Sequence, residues 1–153
     1  MNGTYQVEVI KSDENAYEHL KVMVAQTYWV SYRASISPNP DAFIALKNSD
    51  NRHVCCFGAT YPKHGPLFSE KYLGKRLESA IFESLGVEVA RDKLAECGAF
   101  ASPVELGAGR TLLGSLPWIL MSLGVHYVLV TVTPQVQKLF NKLNIPFTPL
   151  CDA

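Results

Sequence analysis

Glu96 and the paired glycines Gly107 and Gly109 are the residues whose types and settings suggest chemistry. Glu96 lies in Leu94-Ala95-Glu96-Cys97-Gly98-Ala99-Phe100-Ala101, which reads as a short extended strand. A carboxylate among small and apolar neighbours is partly desolvated, and that raises its pKa toward the range of a general base. The same pattern also fits a carboxylate that faces solvent or pairs with a Lys or Arg. Val104-Glu105-Leu106-Gly107-Ala108-Gly109-Arg110 reads as a turn that opens a helix over Thr111 to Leu123. His126 to Thr133 follows as a run of β-formers. In that strand–turn–helix–strand order, Gly107, Ala108, Gly109, Arg110 and Thr111 form a candidate phosphate-binding turn. Glycines let the backbone approach a ligand, and the helix dipole favours negative charge at that end. A Gly-x-Gly pair also serves simply as a tight turn before a helix.

Other reactive groups carry less. His64 falls in a loop, where it is a candidate base or a solvated side chain. His126 begins a strand, which suits a structural role. Cys55, Cys56, Cys97 and Cys151 form no C-x-x-C pair and have no His at metal-ligand spacing, so no metal site is expected. They read as free thiols in a reducing compartment, and the chain as cytoplasmic. Met1 to Ile10 has neither the basic start nor the apolar run of a signal peptide.

Several elements must position these groups. Tyr5 to Ile10 alternates as a half-buried strand does. Ser12 or Asp13 suits the cap of a helix over Glu14 to Trp29, whose apolar face is Tyr17, Leu20, Val24 and Tyr28. Ser35 to Pro40 is a loop; Asp41 to Lys47 and Val54 to Tyr61 are strands joined by a turn at Asn48-Ser49-Asp50-Asn51. Leu67 to Leu85 is helical, with Gly74 as a dividing point, and Val87 to Asp92 is connector or an edge strand. Pro117 either kinks the central helix or opens a separate one after Leu113-Gly114-Ser115. Pro134 suits a helix start, with Val136, Leu139, Phe140 and Leu143 on one face and Asn144 at the end. Ile145 to Leu150, with Pro146 and Pro149, is at best a short irregular strand. This order argues an α/β chain with a mixed sheet and helices on both faces.

The 153 residues suit one domain. Fourteen basic side chains balance fourteen acidic ones, which disfavours nucleic acid as a partner. The 27 residues from Thr111 to Gln137 include no Asp, Glu, Lys or Arg, a composition that raises the question of a transmembrane segment. Gly114, Pro117, Gly124 and His126 interrupt it, and its second half is β-branched, so a buried helix followed by a buried parallel strand explains it and a membrane partner is not expected.

With these residues in place, the chain resembles the GNAT acyltransferase superfamily, and most nearly the bacterial family called thermostable hemolysin. Gly65-Pro66-Leu67-Phe68-Ser69-Glu70-Lys71-Tyr72-Leu73 resembles that family's PLF-x-E-x-YL segment. Ala95 to Ala101 resembles its Glu-containing strand and is similar to the E-x-S-R strand of acyl-homoserine-lactone synthases. Thr133 to Ile145 resembles the last GNAT helix, and Tyr32-Arg33-Ala34 precedes the first hairpin as in the family. There are departures. Val104 stands at the first position of the pyrophosphate loop, Ala99 replaces the lactone-synthase Arg, and Phe140 stands where many GNAT enzymes place a tyrosine acid.

The resemblance implies a mostly antiparallel GNAT-like sheet and an acyl thioester donor, either acyl-CoA or acyl-phosphopantetheine on an acyl carrier protein, with no metal. It implies Glu96 as catalytic base, and Phe100, Ala101, Gly107, Ala108, Gly109, Arg110 and Thr111 as the donor-binding residues. It also implies further chain after Ala153 that completes the sheet, or a strand borrowed in a homodimer. A non-catalytic GNAT-like binding module is the alternative. Membrane lysis, implied by the family's name, is a remote one.

Overall fold

The computed structural model describes residues 4–63, 65–103 and 107–152. Its strands are β1 (Gln6–Lys11), β2 (Ala42–Lys47), β3 (His53–Thr60), β4 (Leu94–Ala101) and β5 (Tyr127–Val130). Its helices are α1 (Asn15–Tyr32), α2 (Glu70–Leu73), α3 (Leu77–Leu85), α4 (Ala108–Ser122) and α5 (Pro134–Lys142). The strands form one five-stranded sheet in the order β1-β2-β3-β4-β5. Pairs β1–β2 and β2–β3 are antiparallel, and β4–β5 is parallel. The mixed, mostly antiparallel sheet is the one the sequence suggests.

Two compact units share the chain: Met1–Thr60 with Gly98–Leu113, and Tyr61–Cys97 with Gly114–Ala153. In the first unit, the helical spacing of Tyr17, Leu20 and Val24 puts all three into one core with Ile10, Phe43, Ala45, Cys56 and Ala101. Burying each large side chain there is worth about 1.5–3 kcal/mol. The Tyr17 ring packs 5.0 Å from that of Phe43, and its hydroxyl donates to the Pro40 carbonyl. The cap of α1 is Glu14, not Ser12 or Asp13. The Glu14 carbonyl accepts from Tyr17 N–H, and its carboxylate accepts from Lys11 N–H at 2.6 Å, closing the turn from both sides.

In the second unit, Leu67, Leu77, Ile81, Leu94 and Leu129 form the core, flanked by Leu73, Val89, Tyr127 and Leu150. Gly74 divides the helical region, its N–H donating to the Glu70 carbonyl to end α2. A 3-10 turn at Arg91–Lys93 leads into β4. Pro117 lies inside one continuous α4, so no separate helix begins there. Strand β5 is shorter than the run of β-formers suggests and ends at Val130. Thr131 Oγ1 bonds Ser69 Oγ, and Thr133 Oγ1 caps α5 by accepting from Val136 N–H. No strand forms over residues 145–150. Among the described residues, no helix is long and apolar enough to cross a membrane.

Candidate functional site

Glu96 is half-buried in β4, beside Leu129 of β5 in register. Its carboxylate accepts from Ser69 N–H, at 3.0 Å to Oε2 and 3.4 Å to Oε1. Among the described residues, no Lys, Arg or His forms an ion pair with it. One backbone donor fixes the carboxylate while leaving lone pairs on both oxygens to take up a proton. Next to it in sequence, the Cys97 thiol is pushed up to about 12, first by burial and then by the Glu96 charge. It is therefore protonated at neutral pH and no nucleophile.

Ser69 is the residue that sequence reasoning missed. It lies in the turn before α2 and is 4% exposed. Besides its N–H on Glu96, its hydroxyl is 2.8 Å from Thr131 Oγ1, at the end of β5. Three distant stretches meet here, and the only sequence signal was that Ser69 sits within the Pro66–Leu73 segment.

Glu70, the next residue, is 6% exposed and fully occupied. Arg91 donates to both its oxygens at 2.8 Å; Leu67 N–H and Leu77 N–H donate one to each at 2.6 Å. These donors, Arg91 foremost, outweigh burial and hold its carboxyl at about 2. Reciprocally, Glu70 and then Glu78 raise the Arg91 guanidinium above its usual range. Glu78 takes a further hydrogen bond from Arg91 Nη1 at 2.8 Å.

The glycine turn is a second region, in the other unit. Helix α4 begins at Ala108, three residues earlier than the sequence suggests. Ala108, Gly109 and Arg110 are therefore its first turn, where N–H groups have no intrahelical acceptor. Thr111 N–H and Thr111 Oγ1 both donate to the Gly107 carbonyl, at 3.0 and 3.1 Å. Gly107 has φ of 91°, which an L side chain rarely adopts. Gly109 is glycine for a different reason. A Cβ there would stand 3.0 Å from Phe100 Cζ and 3.0 Å from Ser102 Oγ.

The structure thus brings Phe100 to the helix start, and it is half-buried. Gly107, Arg110 and Thr111 are exposed. Ala101 and Ala108 are buried in the core, at 1% and 0% exposed. Val104, Glu105, Leu106 and His64 lie outside the described residues. In β4 the pairing with β5 runs from Leu94↔Tyr127 to Cys97↔Val130, and β4 continues to Ala101. Ala99, midway in that continuation, has φ of 53°, a left-handed conformation inside a strand.

A family model described as thermostable hemolysin matches residues 10–153. Among solved structures, the acyl-homoserine-lactone synthase LasI is 9% identical, with a TM-score of 0.60 over 92% of this chain and 78% of that one. The aminoglycoside N-acetyltransferase AAC(6')-Iy in complex with CoA is 12% identical, with a TM-score of 0.55 over 97% of this chain and 92% of that one. A predicted acetyltransferase from Clostridium acetobutylicum, solved with acetyl-CoA, is 8% identical, with a TM-score of 0.54 over 95% and 92%. At these identities the likeness is one of fold. No curated protein matches the sequence.

Proposed function

We propose, from the premise that this chain belongs to the thermostable hemolysin family and has a GNAT-like acyltransferase fold, that it moves an acyl group from a thioester to an amine. The donor is acyl-CoA or acyl-phosphopantetheine, and the acceptor a small-molecule or protein amine. One observation carries the reading: the half-buried Glu96 carboxylate is fixed by Ser69 N–H and has no cationic partner among the described residues. That is a base held in place with its proton-accepting capacity intact.

In this reading the acceptor nitrogen attacks the thioester carbonyl and loses its proton to Glu96. A C–N bond forms, the C–S bond breaks, and the thiolate leaves and is protonated from solvent. Gly107 to Thr111, with Phe100 near Gly109 and Ala101 following Phe100 in sequence, take the donor's phosphate arm.

Isothermal titration with acetyl-, octanoyl- and palmitoyl-CoA, and with an acyl carrier protein loaded with the same chains, tests the donor. Binding of one of them is expected, and no heat with any removes the donor assignment. Glu96→Gln should then keep donor affinity and lose turnover by about 100-fold or more, the usual contribution of a positioned base. Unchanged turnover removes Glu96 from the mechanism.

One observation favours a second reading, a binding module without catalysis. Phe140 is 4% exposed and packs 6.2 Å from Phe147, so the position that resembles the GNAT tyrosine acid has no hydroxyl. That reading predicts a folded chain with no acyl-CoA affinity in the same titration.

A further inference from the structure

We propose that Glu70 and Arg91 are positioning residues for Glu96, acting through the turn that carries Ser69. This rests on the assignment of Glu96 as the base. The Leu67–Glu70 turn is closed in both directions: Glu70 N–H donates to the Leu67 carbonyl at 3.1 Å, and Leu67 N–H donates to Glu70 Oε1 at 2.6 Å. Ser69 stands inside that ring, so its N–H direction is set by a closed loop. The ring is anchored in turn by Arg91, whose two terminal nitrogens grip the two oxygens of Glu70 in the planar, bidentate fashion of a guanidinium.

Arg91 also belongs to the 3-10 turn that runs directly into β4, five residues before Glu96. The clamp therefore ties the donor of the hydrogen bond and the strand carrying its acceptor to one ion pair. Leu77 N–H on Glu70 Oε2 adds the start of α3. On the far side, the Ser69 hydroxyl on Thr131 Oγ1 holds the same residue against β5's end. Ser69 is thus fixed on several sides: its carbonyl accepts from Tyr72 N–H at 3.1 Å, its hydroxyl meets Thr131, and its N–H orients Glu96. A buried ion pair of this kind contributes little net stability over an apolar replacement, so orientation is the property it provides here.

The test uses the full chain with Glu70→Gln and Arg91→Lys, each made alone and in the Glu96→Gln background. Two quantities are read: kcat and KM with the donor that binds, and hydrogen exchange of the Ser69 amide by 15N NMR. Each single change should lower kcat on the order of tenfold at unchanged donor KM, within the hundredfold that a misplaced group can cost. In the Glu96→Gln background neither should lower kcat further. An equal loss in both backgrounds would mean a general structural role and overturn the inference. Ser69 amide exchange should quicken in both single variants, and unchanged exchange overturns it as well. If no thioester is turned over, or Glu96→Gln is fully active, the functional assignment fails separately. The Ser69 amide then decides alone whether the clamp orients Glu96. Should Glu70→Gln not fold, Arg91→Lys, which keeps the charge, carries both readouts.

Discussion

The turn around Ser69 and the turn at Gly107 each lead into a helix, and they are held by opposite means. The first is built from charge. Glu70, Arg91 and Glu78 are bound to one another and to two backbone amides, and Ser69 is oriented as a consequence. The second is built from the absence of side chains. Gly107 supplies a positive φ, and Gly109 supplies room for Phe100 and Ser102. Each turn is therefore sensitive to a different perturbation. Protons and lost charges act on the first; added volume and backbone strain act on the second.

Removing a charge from the first turn should give the largest effect. Arg91→Met leaves the carboxylate of Glu70 buried without its cation, and breaking such a pair costs about 3–5 kcal/mol. A urea titration should show a midpoint lowered accordingly, with Gly107→Ala far milder in the same assay. A small shift for Arg91→Met would erase the contrast between the two turns.

Acid should come next and act on the same turn. The carboxyl of Glu70 is lowered to about 2 in the fold from 4.5, so its protonation disfavours the folded state. Its contribution is fully present above about pH 4.5 and is lost as pH falls toward 2, a window set by those two values. The loss should reach a few kcal/mol. Thermal melts from pH 6 to pH 2 should show this slope in the wild type and a flatter one in Glu70→Gln. Parallel slopes would mean that other carboxylates dominate acid unfolding.

The sequence is unequal as a guide to these two regions. The glycine turn is legible because its signal is local: two glycines, a helix-forming run behind them and a strand ahead. Even so, Gly109 reads there as a ligand-facing residue, and its need to be glycine comes from Phe100, nine positions earlier. The first turn is nearly illegible. Arg91 grips Glu70 across 21 residues and Ser69 meets Thr131 across 62, and no periodicity encodes either distance. The strands and helices themselves follow from alternation, helical spacing and breakers, because those are short-range. The ends of β5 and α1 depart from the pattern where a side chain is taken by a partner the pattern does not contain. Thr131 goes to Ser69 in one case, and Glu14 to Lys11 N–H in the other.

Volume should then act on the second turn alone. Gly109→Ala puts a Cβ 3.0 Å from Phe100 Cζ and Ser102 Oγ, tighter than ordinary contact. The aromatic ring has to move, at a cost of about 1–3 kcal/mol. If the phosphate arm binds here, donor affinity falls in titration while exchange at the Ser69 amide is untouched. A change at Ser69 would mean that the two turns are coupled.

The mildest change is Gly107→Ala. Among the described residues other than its chain neighbours, no atom lies within 4 Å of the added Cβ, so the effect looked for is that of the φ of 91°. An L residue held there costs on the order of 1–2 kcal/mol, and relaxation of the turn recovers part of it. A D-alanine at 107, introduced by ligating synthetic and expressed segments, accepts that φ without strain and separates the causes. If the turn needs only its backbone conformation, D-alanine restores both stability and donor affinity. If it needs open space for a phosphate above Gly107, D-alanine restores stability and leaves affinity low. The second pattern would make Gly107, rather than the tightly packed Gly109, the glycine that a ligand approaches.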